Sequence, residues 1–83
     1  MSETVRMFTL STCGHCKAAK KFMKDHGVAS QCTDVDLLTG DERKAAIDEV
    51  KKYNPACSFP TILIGDRIVI GFNEQALREA LGL

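Results

Sequence analysis

The sequence predicts an α/β fold: a four-stranded mixed sheet with helices on both faces, its elements in the order βαβαββα. Two observations carry this. Short runs rich in β-forming residues alternate with amphipathic helical stripes, and the last two runs are separated by a two-residue turn that should pair them antiparallel. No linker, repeat or low-complexity tract divides the 83 residues, so 1–83 is read as a single domain.

The elements follow in order. Val5-Arg6-Met7-Phe8-Thr9-Leu10 is rich in β-formers and ends at Ser11-Thr12, residues that favour turns and helix caps. From Cys13 onward, Ala18, Ala19, Phe22 and Met23 recur at helical spacing, with Lys17, Lys20, Lys21 and Lys24 mostly on the other face, until Gly27 stops the helix. Gln31-Cys32-Thr33-Asp34-Val35-Asp36 reads as a second strand with diluted alternation. Thr39 followed by Glu42 is a capping-box pattern, and Ala46, Ile47 and Val50 form the stripe of a second helix that Asn54-Pro55 breaks. Thr61-Ile62-Leu63-Ile64 and Arg67-Ile68-Val69-Ile70 flank Gly65-Asp66, a loop suited to a tight hairpin. Asn73 offers an N-cap oxygen, Glu74 complements the helix dipole, and Leu77, Ala80 and Leu81 line a third helix before Gly82.

Charge narrows the function classes. Eleven acidic and eleven basic side chains balance, which removes the long-range positive field expected of a nucleic-acid or anionic-membrane binder. The opening Met1-Ser2-Glu3-Thr4-Val5-Arg6 has no basic region followed by an apolar run, and no stretch approaches the ~20 apolar residues that span a bilayer. The chain is therefore expected to be cytoplasmic, with proteins or small molecules as partners. In a reducing compartment a close cysteine pair is a catalytic or metal-binding feature before it is a staple.

Of the four cysteines, Cys13 and Cys16 are close, while Cys32 and Cys57 stand apart. A thiolate, not a thiol, attacks a disulfide, and a free cysteine with a pKa of about 8.5 is mostly protonated near neutrality. Cys13 falls between a strand end and the first turn of a helix, where unpaired backbone N–H groups and the helix dipole stabilise an anion. It is the expected nucleophile. Cys16, one turn on, faces the same end and is the expected resolving thiol. The modulating positions are Gly14, His15 and Lys17: His15 can add positive charge near the sulfur, favouring the reduced form, and Lys17 can attract a carboxylate or stabilise the thiolate.

With Cys-x-x-Cys opening the first helix and Phe59-Pro60-Thr61 before the third strand, the chain resembles a glutaredoxin, within the thioredoxin fold. The resemblance spans nearly the whole chain. It implies that Pro60 is cis and packs beside the redox pair, and that Phe59 offers its backbone to an extended substrate. Thr61 completes that segment. It implies also that Gly71-Phe72-Asn73 matches the family's glutathione-binding Gly-Gly turn, with Phe72 in place of the second glycine, where its side chain would obstruct close approach. A Gly-Phe here is similar to the small redoxins that serve ribonucleotide reductase and draw on thioredoxin reductase. Gly14-His15 is similar to protein disulfide isomerase rather than to either group, so the pair does not settle the assignment; the charge His15 can add predicts a comparatively oxidising pair, in the upper half of the range from about −270 to about −180 mV.

The resemblance thus implies a thiol-disulfide oxidoreductase, monomeric and without a bound cofactor, reducing protein or mixed disulfides by a dithiol mechanism. Its electrons come from thioredoxin reductase with NADPH or from glutathione, the flavin reductase slightly ahead. The alternative is a metal-binding module, with zinc or an iron-sulfur cluster on the same cysteines. A zinc ribbon needs a second close pair, which Cys32 and Cys57 do not make. Cys57, three residues before Pro60, is a candidate for a regulatory disulfide, and Cys32 is expected to be a buried small hydrophobe. Tyr53 is read as a packing residue, and Arg43, Lys51 and Lys52 as the wet face of the second helix.

Overall fold

A computed structural model describes residues 4–83. Part of the reading of the opening segment, at Met1, Ser2 and Glu3, lies outside the described residues. The elements are β1 (Val5–Thr9), α1 (Gly14–Asp25), β2 (Gln31–Asp34), a 3-10 turn (Val35–Leu37), α2 (Gly40–Tyr53), β3 (Thr61–Ile64), β4 (Arg67–Ile70) and α3 (Glu74–Leu81). The strands form one sheet in the order β2-β1-β3-β4. β1 pairs parallel with β2 and antiparallel with β3, and β3 pairs antiparallel with β4, so the sheet is mixed, as expected.

Period-2 alternation assigns the two faces. Val5 and Met7 of β1, with Ile62 and Ile64 of β3 and Val69 of β4, pack against Ala19, Phe22 and Met23 of α1 and Leu77 of α3. Phe8 and Leu63 point the other way, onto Val35, Ala46 and Val50. Helices α1 and α3 therefore cover one face and α2 the other. Each fully buried aliphatic contributes about 1.5–3 kcal/mol, which is why both central strands are apolar on both sides.

The β3–β4 turn is Gly65-Asp66, with Ile64 and Arg67 in register. Gly65 has φ +59 and Asp66 is not left-handed, the combination of a II′ turn, where glycine is needed at the first position. Two expectations are corrected. The second strand stops at Asp34, because Val35 turns into the core and the chain tightens into a 3-10 turn. Thr39 is the α2 N-cap, but its hydroxyl makes no capping bond, so the capping box does not form. Tyr53, read as a packing residue, is 37% exposed at the end of α2.

Candidate active site

The site lies where β1 and β2 end and β3 begins. Extending the strand register by one step sets Asp34, Thr9, Pro60 and Gly71 in a row across this end of the sheet. The row is bonded. Thr9 Oγ1 donates to Asp34 Oδ1 at 2.5 Å, and Gly71 N–H donates to Pro60 C=O at 2.8 Å. The β1–α1 connection is gripped from the 3-10 turn: Ser11 donates through its N–H and hydroxyl to the two carboxylate oxygens of Asp36, at 2.9 and 2.5 Å. That hold keeps the carboxyl of Asp36 below its usual range.

Cys13 is the N-cap of α1, with extended backbone, and its Sγ accepts the Cys16 N–H at 3.4 Å. Its sulfur is thus bonded by one of the first-turn N–H groups that have no partner within the helix. The Cys16 thiol, then the Cys16 and His15 backbone N–H groups, hold the Cys13 thiol below its ordinary range, with desolvation opposing. Cys16 belongs to the buried stripe of α1 with Ala19, Phe22 and Met23, and its Sγ accepts the Leu10 N–H at 3.4 Å. Burial pushes its thiol up to about 11, the Leu10 N–H opposes that, and the hydrogen bond to Cys13 adds to it. One sulfur is half-exposed and favours the anion; its neighbour is buried and keeps its proton. Both thiols are free.

The remaining expected site residues are distributed as follows. His15 is exposed, and what this position gives Cys13 is its backbone N–H. Gly14 is exposed, with open space where a Cβ would be, and Lys17 is exposed. The Phe59-Pro60 peptide is cis. Phe59 packs its ring on the α2-side core, and no other described residue bonds to its backbone N–H or C=O. Thr61 is buried and donates to Ser58 C=O at 2.8 Å. Phe72 is half-buried, its ring packed on the α1/α3-side core and edge-on to Phe22 at 6.2 Å. Asn73 caps α3, accepting the Ala76 N–H at 3.1 Å.

Cys57 is half-buried against the α2-side core, with φ +52 and its N–H on Asn54 C=O. Cys32 is exposed, contrary to expectation, because β2 is an edge strand whose first two residues lie beyond the cover of the helices. Arg43, Lys51 and Lys52 are exposed. Among the described residues, no group of three or more His, Cys, Asp or Glu side chains is arranged to hold a metal ion. No described helix is long and apolar enough to cross a membrane.

Sequence reasoning missed the grip of Asp36 on Ser11 and three further residues. Asn54, read as a helix breaker, is 2% exposed, and its Nδ2 donates to Ser58 C=O (3.1 Å), Ser58 Oγ (2.9 Å) and Thr61 Oγ1 (3.2 Å), tying down the loop that carries Pro60. Asp34 and Lys20 form a 2.8 Å ion pair beside Thr9. A polar residue at the last position of a strand was the available signal for Asp34. Nothing in the sequence pointed to its partner.

A four-stranded mixed sheet clasped by three helices, with paired thiols opening the first helix and a cis-proline leading into β3, defines a thioredoxin-fold protein. Within that class, the glutaredoxin family profile matches residues 5–69, and the chain belongs to the glutaredoxin family. Three solved structures from archaea agree. Methanoredoxin of Methanosarcina acetivorans is 41% identical with a TM-score of 0.94, over 99% of this chain and 87% of that one. A glutaredoxin of Methanosarcina mazei is 43% identical at 0.91, over 98% and 80%. A glutaredoxin of Archaeoglobus fulgidus is 41% identical at 0.88, over 96% and 86%. Membership implies chemistry of the thiol-disulfide oxidoreductase type.

Proposed function

We propose that this chain reduces protein or mixed disulfides by a dithiol mechanism, with Cys13 as nucleophile and Cys16 as resolving thiol. The observation that carries the reading is the asymmetry of the pair: Cys13 is N-capping and stabilised as an anion, while Cys16 is buried and protonated. The Cys13 thiolate attacks one sulfur of a substrate disulfide; a Cys13–substrate bond forms, the substrate S–S bond breaks, and the departing thiolate takes a proton from water. Capture removes the negative charge of Cys13, one of the influences that keep Cys16 protonated. Cys16 then ionises and attacks Cys13 Sγ. The second substrate thiolate leaves, the substrate has gained two electrons, and Cys13–Cys16 is a disulfide.

The substrate chain lies along the Phe59-Pro60-Thr61 segment, where the backbone of Phe59 is open to pairing. Two electrons from outside reset the pair. A flavin disulfide reductase with NADPH is the proposed donor, slightly ahead of glutathione, because Phe72 stands where the family's second glycine would admit the close approach of glutathione. His15 and Lys17 act on this reading as exposed tuning groups around the thiolate.

Two measurements test the proposal. Cys16→Ser should accumulate mixed disulfides through Cys13, whereas Cys13→Ser should trap few; equal trapping by both would reject the assigned roles. Turnover of a model disulfide is then compared with NADPH plus thioredoxin reductase and with NADPH plus glutathione and glutathione reductase. Faster turnover with glutathione would overturn the proposed donor.

A further inference from the structure

Cys16 faces an unsolved difficulty on this reading: to resolve the mixed disulfide, a thiol with no exposed surface must lose its proton. The groups around it are few. On α1 they are Cys13 and Lys20, one turn to either side. At the end of β1 they are Thr9 and the Leu10 N–H that bonds the sulfur. On β2 they are Asp34 and, two residues earlier, the exposed Cys32. Asp36, beyond β2, is taken up by Ser11. The loop leading to Phe59-Pro60 brings one ionisable side chain, the Cys57 thiol, half-buried against the α2-side core.

Lys20 is not a free surface lysine. Its Nζ donates to Asp34 Oδ1 at 2.8 Å, and the same oxygen accepts the Thr9 hydroxyl, whose alternative partner is Thr33 C=O at 3.3 Å. Thr9 and Leu10 are consecutive, so the end of β1 fixes the carboxylate that holds the ammonium and also bonds the sulfur. The ammonium side chain is 33% exposed, and two-thirds of its surface is withdrawn from screening water.

Resting on the dithiol reading, we propose that Lys20 is a positioning residue for the resolving step: its ammonium, anchored by Asp34 and Thr9, supplies the positive charge that allows the buried Cys16 to ionise and attack the mixed disulfide. Of the charges acting on Cys16, Lys20 is the one that favours the anion, and Cys16 in turn favours the charged form of Lys20. Bonds and electrons balance as above: the Cys16 proton goes to water, the Cys13–Cys16 bond forms, and the substrate thiolate leaves. Lys20 gains and loses nothing.

The test separates capture from resolution. Reduced protein carrying Cys32→Ser and Cys57→Ser, so that only the pair reacts, is mixed rapidly with dithiobis-nitrobenzoate across pH. The first release of coloured thiolate reports Cys13, and the second, concentration-independent release reports Cys16. Lys20→Met should slow the second phase by about three- to fourfold for each unit by which the Cys16 pKa rises, a tenfold loss of thiolate partly offset by greater nucleophilicity. The first phase should be unchanged. Lys20→Arg should restore the second phase, since it keeps the charge. Asp34→Asn keeps an oxygen for Lys20 and Thr9 but removes the opposing charge, so it should leave the second phase as fast or faster. An unchanged second phase in Lys20→Met, an Arg variant as slow as Met, or a slower Asp34→Asn would each overturn the proposal, the last by pointing to the carboxylate as proton acceptor. Should Lys20→Met not fold, the Arg and Asn variants still decide. No second phase in the parent protein would instead reject the dithiol reading itself.

Discussion

Replacing Asn54 by alanine tests whether one buried carboxamide fixes the loop that presents Pro60. The side chain is 2% exposed, and its amide spreads two protons over Ser58 C=O, Ser58 Oγ and Thr61 Oγ1. Truncation is only partly made good: Ser58 C=O keeps the Thr61 hydroxyl, and Ser58 itself is exposed and can bond water. About two net hydrogen bonds are lost together with some packing, roughly 2–3 kcal/mol in all. A chain of this size has only about 4–12 kcal/mol in total. The melting temperature should therefore fall by roughly 10–20 °C. Urea unfolding of reduced protein measures the loss directly, with the midpoint falling and the slope m unchanged. Asn54→Asp keeps the shape but removes both donors, so it should lose at least as much as alanine. A loss below about 0.5 kcal/mol in either variant would refute the reasoning, because a loop held elsewhere would not feel the change.

Three further outcomes follow from the geometry. Gly71 has φ +79 with open space where a Cβ would be, so Gly71→Ala should cost about 1–2 kcal/mol by urea unfolding, from backbone strain alone; a neutral result would contradict the left-handed turn. Burial raises Cys16 from 9.0 to about 11, so between those values the unfolded chain gives up this proton first and stability falls as pH rises. Reduced wild-type protein should thus lose more stability than Cys16→Ala between pH ~8 and ~10.5, by about 2 kcal/mol, and parallel profiles would count against a buried thiol. Asp34 and Glu49 are held below their usual range, first by Lys20 and by Arg6 respectively. The stability they add is complete above the ordinary carboxylate pKa and is lost as pH falls through their lowered values, so the acid unfolding midpoint should rise in Arg6→Met and Lys20→Met.

Much of this was legible in the residues, because the informative interactions are local. Cys13 and Cys16 are one turn apart, Gly65-Asp66 closes its own hairpin, and the alternation of Val5, Met7 and Phe8 is a property of one strand. What escaped is long-range. Lys20 and Asp34 are 14 positions apart, and Ser11 and Asp36 are 25 apart; each pair meets only because β2 lies beside β1. Cys32 was misjudged since a strand's composition does not tell whether helices cover it. The contact of Phe72 with Phe22 of α1 is likewise not written in the local sequence. Asn54 carried a breaker's signal and a hub's function at the same position, and only the first is written in local sequence.

The rate of Cys13 alkylation by iodoacetamide, followed by mass spectrometry across pH in protein carrying Cys32→Ser and Cys57→Ser, reaches the central claim most directly. With the N-cap hydrogen bonds in place, the rate should titrate with an apparent pKa below the ~8.5 of a free cysteine. A Cys13 that ionises at or above that value would contradict the account, for the anion on which capture depends would then have no support from the fold.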